Sequence, residues 1–279
     1  KVAISAVLAG CKPEYMPVVI AAVKGLCHAD YGYHGPATST GGAAAVLIVN
    51  GPIATQLDIN SKDNVFGNGW RANATIGRAI RLLMMNAINT RPGALDRSTL
   101  GNPGKYSFCF AENEAESPWE PLHVERGFAK AQSTVTVFAA EAQIQVYNQL
   151  SADPEQLCRT MADAMANMGT IGIVSNAQQA VVWAGEHTDI FRKAGWSKRQ
   201  VKDTLLKHAR RTVADLKRGG RLAGEVKPED ETTWRHVVRS TDDIIMLHAG
   251  GKAGSFSACL PGWGGISASK SVTIAVTGV

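Results

Sequence analysis

The stretch Ala43-Ala44-Ala45-Val46-Leu47-Ile48-Val49 runs directly into Asn50-Gly51-Pro52. The apolar run is short for a helix and carries no polar alternation, so it reads as a strand buried on both faces. Gly51 lets the chain turn tightly and lets a ligand approach the backbone. Pro52 removes a donor that the start of a helix leaves unpaired anyway. A buried strand that closes into a helix is the basic unit of an α/β fold.

The same pattern recurs along the chain. Ser107–Ala111 runs into Glu112-Asn113-Glu114, Thr134–Ala140 into Glu141, Ala180–Ala184 into Gly185-Glu186-His187, and Asp243–Ala249 into Gly250-Gly251. Val2–Leu8 reads as a first strand turning at Gly10. Its rival is a short signal peptide in which Cys11 is the lipidated residue. Helical patterns cover 13–26, 52–57, 74–88, 153–168, 187–194 and 198–218, with Asn73 and Ser197 as N-caps. Segments 91–106 and 217–235 read as loops, and Gly254–Gly265 as a site loop or crossing tail. The expectation is one α/β domain over 1–279, with a weak boundary near 150. Its parallel or mixed sheet carries helices on both faces, and ligands bind at the carboxyl ends of the strands.

Composition narrows the function classes. The chain has 279 residues, 45% hydrophobic and 19% charged, which excludes a disordered tail. No apolar run reaches the ~20 residues of a membrane-spanning helix, so no membrane partner is expected. Eleven of the basic residues lie between Arg192 and Arg221. Val201, Leu205, Ala209, Val213 and Leu216 keep helical spacing there, which assigns the basic residues to a solvated face. No stretch interleaves aromatics with the bases as a single-strand binder does, so no nucleic-acid partner is expected. Five cysteines without a C-x-x-C spacing argue against a disulfide framework or zinc ribbon, and fit a reducing, cytoplasmic compartment.

Several residues carry possible chemistry. Cys11 precedes a helix beginning near Pro13, where unpaired N–H groups and Lys12 favour a thiolate, although a free cysteine at a tight turn is often a small buried hydrophobe. Asn50 and Gly51 close a strand. Gly67–Arg81 joins a glycine loop, Arg71, Asn73 and Arg78 at the start of a helix, a place for an anion. Glu112–Arg126 is the densest segment, with five glutamates, His123 and Arg126. On a strand, His123 and Glu125 would share a face. A histidine among carboxylates works in acid–base chemistry or binds a metal, though no metal-ligand spacing supports the latter. Glu186-His187 offers a further acid–base pair, and His248 leads into a glycine anion loop at Gly250-Gly251.

At GCKPEYMPVVIAAV, VNGPIA, RANATIGRAIRL, LGNPGKY, AENEAESPWEPLHVERGF, STVTVFAAE and AGWSKRQVK the chain resembles a bacterial family labelled UGSC-type (seleno)proteins or thiol-disulfide oxidoreductase domain proteins. The resemblance covers most of residues 1–265. It carries over Cys11, Glu14, Tyr15, Asn50, Asn73, Arg78, Glu112, Asn113, Glu114, His123 and Arg126. The Cys/Sec-Gly-Ser-Cys motif behind the label is absent from this chain. The family pattern also has histidines where this sequence has Gln143-Ile144-Gln145 and Phe256-Ser257-Ala258, which removes two titratable groups.

The functional expectation is an α/β enzyme acting on a small polar or anionic substrate by addition, elimination or hydrolysis. Cys11 is the nucleophile, Glu112, Glu114 and His123 move protons, and Asn50, Gly51, Arg71, Asn73, Arg78, Asn113, Arg126, Gly250 and Gly251 hold the substrate. One alternative is a redox partner of a protein that carries the missing motif. Another is a noncatalytic or metal-binding subunit of a hetero-oligomer. A homo- or hetero-oligomer is expected throughout.

Overall fold

The computed structural model describes residues 1–265 and 267–278. In chain order the strands are β1 Ala44–Asn50, β2 Cys109–Ala111, β3 Thr134–Ala140, β4 Ile144–Tyr147, β5 Gln179–Trp183, β6 Arg210–Thr212, β7 Trp234–His236, β8 Ile244–His248, β9 Phe256–Pro261 and β10 Val272–Ala275. The helices are α1 Val2–Ala9, α2 Met16–Leu26, α3 His34–Thr38, α4 Pro52–Gln56, α5 Arg71–Asn86, α6 Leu122–Glu125, α7 Pro154–Met165, α8 Gly172–Ser175, α9 Gly185–Ala194, α10 Lys198–His208 and α11 Val213–Arg218.

Two mixed four-stranded sheets carry the fold, in the orders β10-β3-β1-β2 and β4-β9-β5-β8. β1 is parallel to β2 and antiparallel to β3, while β5 is parallel to β8 and antiparallel to β9. Side-chain alternation then decides the layers. Val46, Ile48, Phe110 and Phe138 of the first sheet pack with Ala180, Val182, Leu247 and Leu260 of the second. Leu47, Val49, Cys109 and Val137 point the other way, under α2 and α5. Val181, Trp183, Met246 and Cys259 point under α7 and α10. The fold is therefore α/β with mixed sheets, as the sequence predicts. Helices cover both outer faces of a stack of two sheets, and each sheet's inner cover is the other sheet. The shared inner core draws on both sides of the expected boundary near 150.

The first element differs from expectation. Val2–Ala9 is a helix, not a strand. The run is rich in alanine, the best helix former, and it packs along α5 instead of joining a sheet. Gly10, at φ 86°, ends it. Gly10 N–H donates to Val7 O and Cys11 N–H to Ala6 O, closing the last turn with a left-handed cap. The expected helix 198–218 breaks at the short strand β6. Gly254–Gly265 holds β9, an inner strand, rather than a loop. Its serine, proline and glycines hid a strand that the two-sheet core supplies with apolar neighbours. Among the described residues no helix is long and apolar enough to cross a membrane, and all five cysteines are free.

Candidate active site

The inner face of the first sheet is apolar along β1 and β2 until the last row, and β3 adds Thr136 opposite Ile48, paired with Thr273 of β10. Along β1 the inward residues are Ala44, Val46 and Ile48, and then Asn50. Along β2 they are Phe108 and Phe110, and then Glu112. β3 runs the other way and begins at Thr134, opposite Asn50. Glu112, Asn50 and Thr134 thus form one polar row across three neighbouring strands. All three are buried. The parallel pair places the carboxyl ends of β1 and β2 side by side, where α/β sheets bind ligands.

Hydrogen bonds join this row to the loop after β2. Asn50 Nδ2 donates to Glu112 Oε2 at 2.6 Å and to Glu114 Oε1 at 3.0 Å. Gly51 N–H donates to Glu114 Oε1 at 2.7 Å, and Leu122 N–H to Glu112 Oε2 at 2.8 Å. Gly51 sits at φ 83°, and a Cβ there would come 2.2 Å from Gln132 O, so only glycine fits this turn. His123, fully buried, donates from Nε2 to Lys130 O at 3.4 Å. Its Nδ1 faces Glu114 Oε1 at 3.7 Å. His123 and Glu125 lie on the helical turn α6, not on a strand. The prolines before them keep the segment out of both sheets.

Burial pushes the Glu112 carboxyl up to about 7, with the Glu114 carboxylate adding to the rise; Lys198, Leu122 N–H and Asn50 oppose it. The unsatisfied polar atoms concentrate here. Asn50 Oδ1, Glu112 Oε1, Asn113 Nδ2, His123 Nδ1 and Thr134 Oγ1 are all buried without a hydrogen-bond partner. Native interiors leave few such groups unpaired, and those that remain mark a place for water or a ligand. Glu114, with 23% of its side chain exposed, connects the row to solvent. Asn113 N–H donates to His248 O at 2.8 Å, which joins this end of the first sheet to the carboxyl end of β8.

A cavity of about 300 Å³ opens beside that junction, lined by Glu116, Asp189, Arg192, His248 and Lys252 among others. His248 Nδ1 donates to Trp183 O at 3.0 Å, and burial pushes its pKa down. Thr188 Oγ1 lies 2.9 Å from the same Nδ1, so both hydrogen-bond contacts of the ring are made at that nitrogen.

The other expected site residues are placed elsewhere. Cys11 follows α1, on the helical side of the first sheet, and Thr75 O accepts its Sγ–H at 3.3 Å. Burial pushes its thiol pKa up; the Thr75 bond and the Arg71 charge only partly offset this. No hydrogen bond or ion pair joins Cys11 to Glu112, Glu114 or His123 among the described residues. At pH 7.5 exposed Cys27 is therefore expected to alkylate faster than Cys11, by peptide mass spectrometry; the reverse order would restore the thiolate reading. Arg71 Nε donates to Gly10 O. Asn73 is no cap: it lies inside α5, and its amide pairs with both backbone groups of Asn60. Arg126 donates to Thr273 Oγ1 and Ser271 Oγ, fastening β10, and burial lowers its pKa to about 10.

Gly250 and Gly251 form a packed junction. Gly250 N–H donates to Ser61 O, and Gly251 O accepts from Gly185 N–H. His187 bonds Ser257 Oγ and Asn148 O, and Glu186 bonds Gly254 N–H, so both are occupied in holding β9. Glu141 falls at the opposite end of the sheet because β3 is antiparallel.

Sequence reasoning missed Thr134 and the lysines of α10. The alternation Thr134, Thr136, Phe138 was the available signal for the first. Lys198 and Lys202 were expected on a solvated face. They are buried and converge on Glu125, Lys198 at 2.7 Å. Their one-turn spacing on α10 makes the pair possible, but only the fold supplies the glutamate. Among the described residues no three His, Cys, Asp or Glu side chains gather as a metal site. Comparison with family models, curated proteins and solved structures finds no match to this chain.

Proposed function

We propose that the chain is an enzyme that moves protons on a small polar substrate, with Glu112 as the central acid–base group. The observation that carries this reading is the row of buried, unpartnered polar atoms around a carboxyl whose pKa is pushed to about 7. A group that titrates near neutrality both gives and takes protons efficiently. Glu112 Oε2 is committed to Asn50 and Leu122, so Oε1 is the oxygen left to exchange a proton. His123 Nδ1, next to Glu114, is the second group able to accept one. Addition, elimination and hydrolysis are all accelerated by such a pair. The residues that the UGSC-type resemblance carries over include Asn50, Glu112, Asn113, Glu114 and His123, which supports a common site.

The test follows deuterium. The wild-type protein is incubated in D₂O with mixtures of small carboxylic acids, aldehydes and alcohols, and proton NMR reads exchange or turnover. Wild type is expected to act on a member of the set, with Glu112→Gln and His123→Asn reducing the rate by about 10²–10⁴. Turnover that survives both substitutions would overturn the assignment.

Cys11 supports a second reading. It is half-buried, so its thiol is within reach of solvent, and Arg71 lies nearby. In that reading a partner or substrate displaces the Thr75 contact and exposes a nucleophile.

A further inference from the structure

The opposite end of the first sheet holds a different constellation. Asn102 Nδ2 donates to Gly42 O just before β1, and Lys105 and Tyr106 lead into β2. A cavity of about 530 Å³ opens there, lined by Arg78, Arg81, Asp96, Lys105, Leu100 and Tyr106 among others. It lies at the amino ends of β1 and β2, away from Glu112.

The charges in this cavity do not balance. Asp96 is buried, with 3% of its side chain exposed. Arg81 Nη2 donates to it at 2.8 Å, and Lys105 Nζ reaches both of its oxygens at 2.9 Å. Lys105 spends its third N–H on Ser98 Oγ. One carboxylate therefore answers two cations held almost out of water. Arg78 stands one turn before Arg81 on the same face of α5 and is half-buried. Among the described residues it has no carboxylate and no hydrogen-bond partner. Uncompensated positive charge in such a setting is costly and attracts an anion. The rim is apolar: Leu100 is 96% and Tyr106 73% exposed.

We propose that this cavity binds a small organic anion, a phosphate or carboxylate on an apolar body. The guanidinium of Arg78 and the free N–H groups of Arg81 hold the anion, and Tyr106 and Leu100 cover the apolar part. The site is independent of the acid–base reading, and its failure would leave that reading untouched.

Phenyl phosphate is the probe, titrated by calorimetry at low salt against the full chain. Wild type is expected to bind it, inorganic phosphate to compete, and phenol to bind far more weakly. Arg78→Gln should weaken phenyl phosphate about tenfold or more, the loss of charge-assisted bonds. Tyr106→Ser, a change at an exposed position, should weaken phenyl phosphate more than inorganic phosphate. Thermal unfolding confirms that each variant is folded. Absence of binding to wild type, equal binding to Arg78→Gln, or phenol binding as well as phenyl phosphate would each overturn the proposal.

Discussion

Asp96→Asn is expected to cost about 3–5 kcal/mol of stability at pH 7, because it leaves two buried cations without their counter-charge. The wild-type carboxylate takes hydrogen bonds from Arg81, Lys105 and Ser98. Burial alone would raise its pKa, yet the bonds from Lys105, Ser98 and Arg81 outweigh burial and hold it well below the usual carboxylate range. A carboxyl whose folded pKa is depressed stabilises the fold above its unfolded value. That contribution fades as pH falls through the folded value. Wild type should therefore lose this contribution on strong acidification, and the stability gap between it and Asp96→Asn should narrow there. Urea unfolding at pH 7 and at low pH measures both. A change below about 1 kcal/mol at pH 7 would mean that the triad behaves as a solvated surface cluster.

Glu112→Gln is expected to act with the opposite sign. The Glu112 carboxyl rises from 4.5 to about 7 in the fold. The folded chain therefore binds a proton that the unfolded chain has released, and stability falls as pH rises between those two values. Glu112 is almost fully buried, so solvent screening does not discount the effect, which is on the order of 3 kcal/mol. Glutamine keeps an oxygen for Asn50 Nδ2 and Leu122 N–H and carries no charge. The variant should be more stable than wild type by up to that amount at pH 8, and nearly equal to it at pH 4. Glu141, also pushed to about 7 by burial, keeps its own contribution in both proteins. A variant that is both more stable and inactive is the usual mark of a strained functional group. A variant less stable at pH 8 would show that the charge at Glu112 is favoured by its surroundings.

Much of this arrangement was legible in the sequence, for identifiable reasons. Ala43–Asn50 and Thr134–Ala140 announced strands because an apolar run too short for a helix, ending in a turn, has little else to become. Asn50, Glu112 and Glu114 drew attention because they follow such runs, and His123 because it stands in the glutamate-dense segment after one. Their convergence was not legible, since it depends on β1 and β2 being parallel neighbours while β3 is antiparallel. The antiparallel direction also removed Glu141 from the group. Val2–Ala9 misled because an alanine-rich apolar run fits a strand or a helix equally well, and its packing on α5 decided the matter. Phe256–Pro261 was invisible as a strand because its serine and glycine neighbours carry no period, and only the second sheet gives it partners. The buried lysines of α10 show the limit of helical-wheel reasoning, since Glu125 lies far away in sequence.

The most direct test is a pH titration of the Glu112 carboxyl itself. Protein labelled with ¹³C at the glutamate side-chain carboxyl is followed by NMR from pH 4 to pH 9, beside Glu112→Gln. The acid–base account predicts a resonance with a midpoint of about 7 that is missing from Glu112→Gln, and is distinct from that of Glu141. If the resonance lost in Glu112→Gln titrates instead near the ordinary glutamate value of ~4.3, Glu112 is a settled carboxylate at neutral pH, and it is not the proton-exchanging centre of this protein.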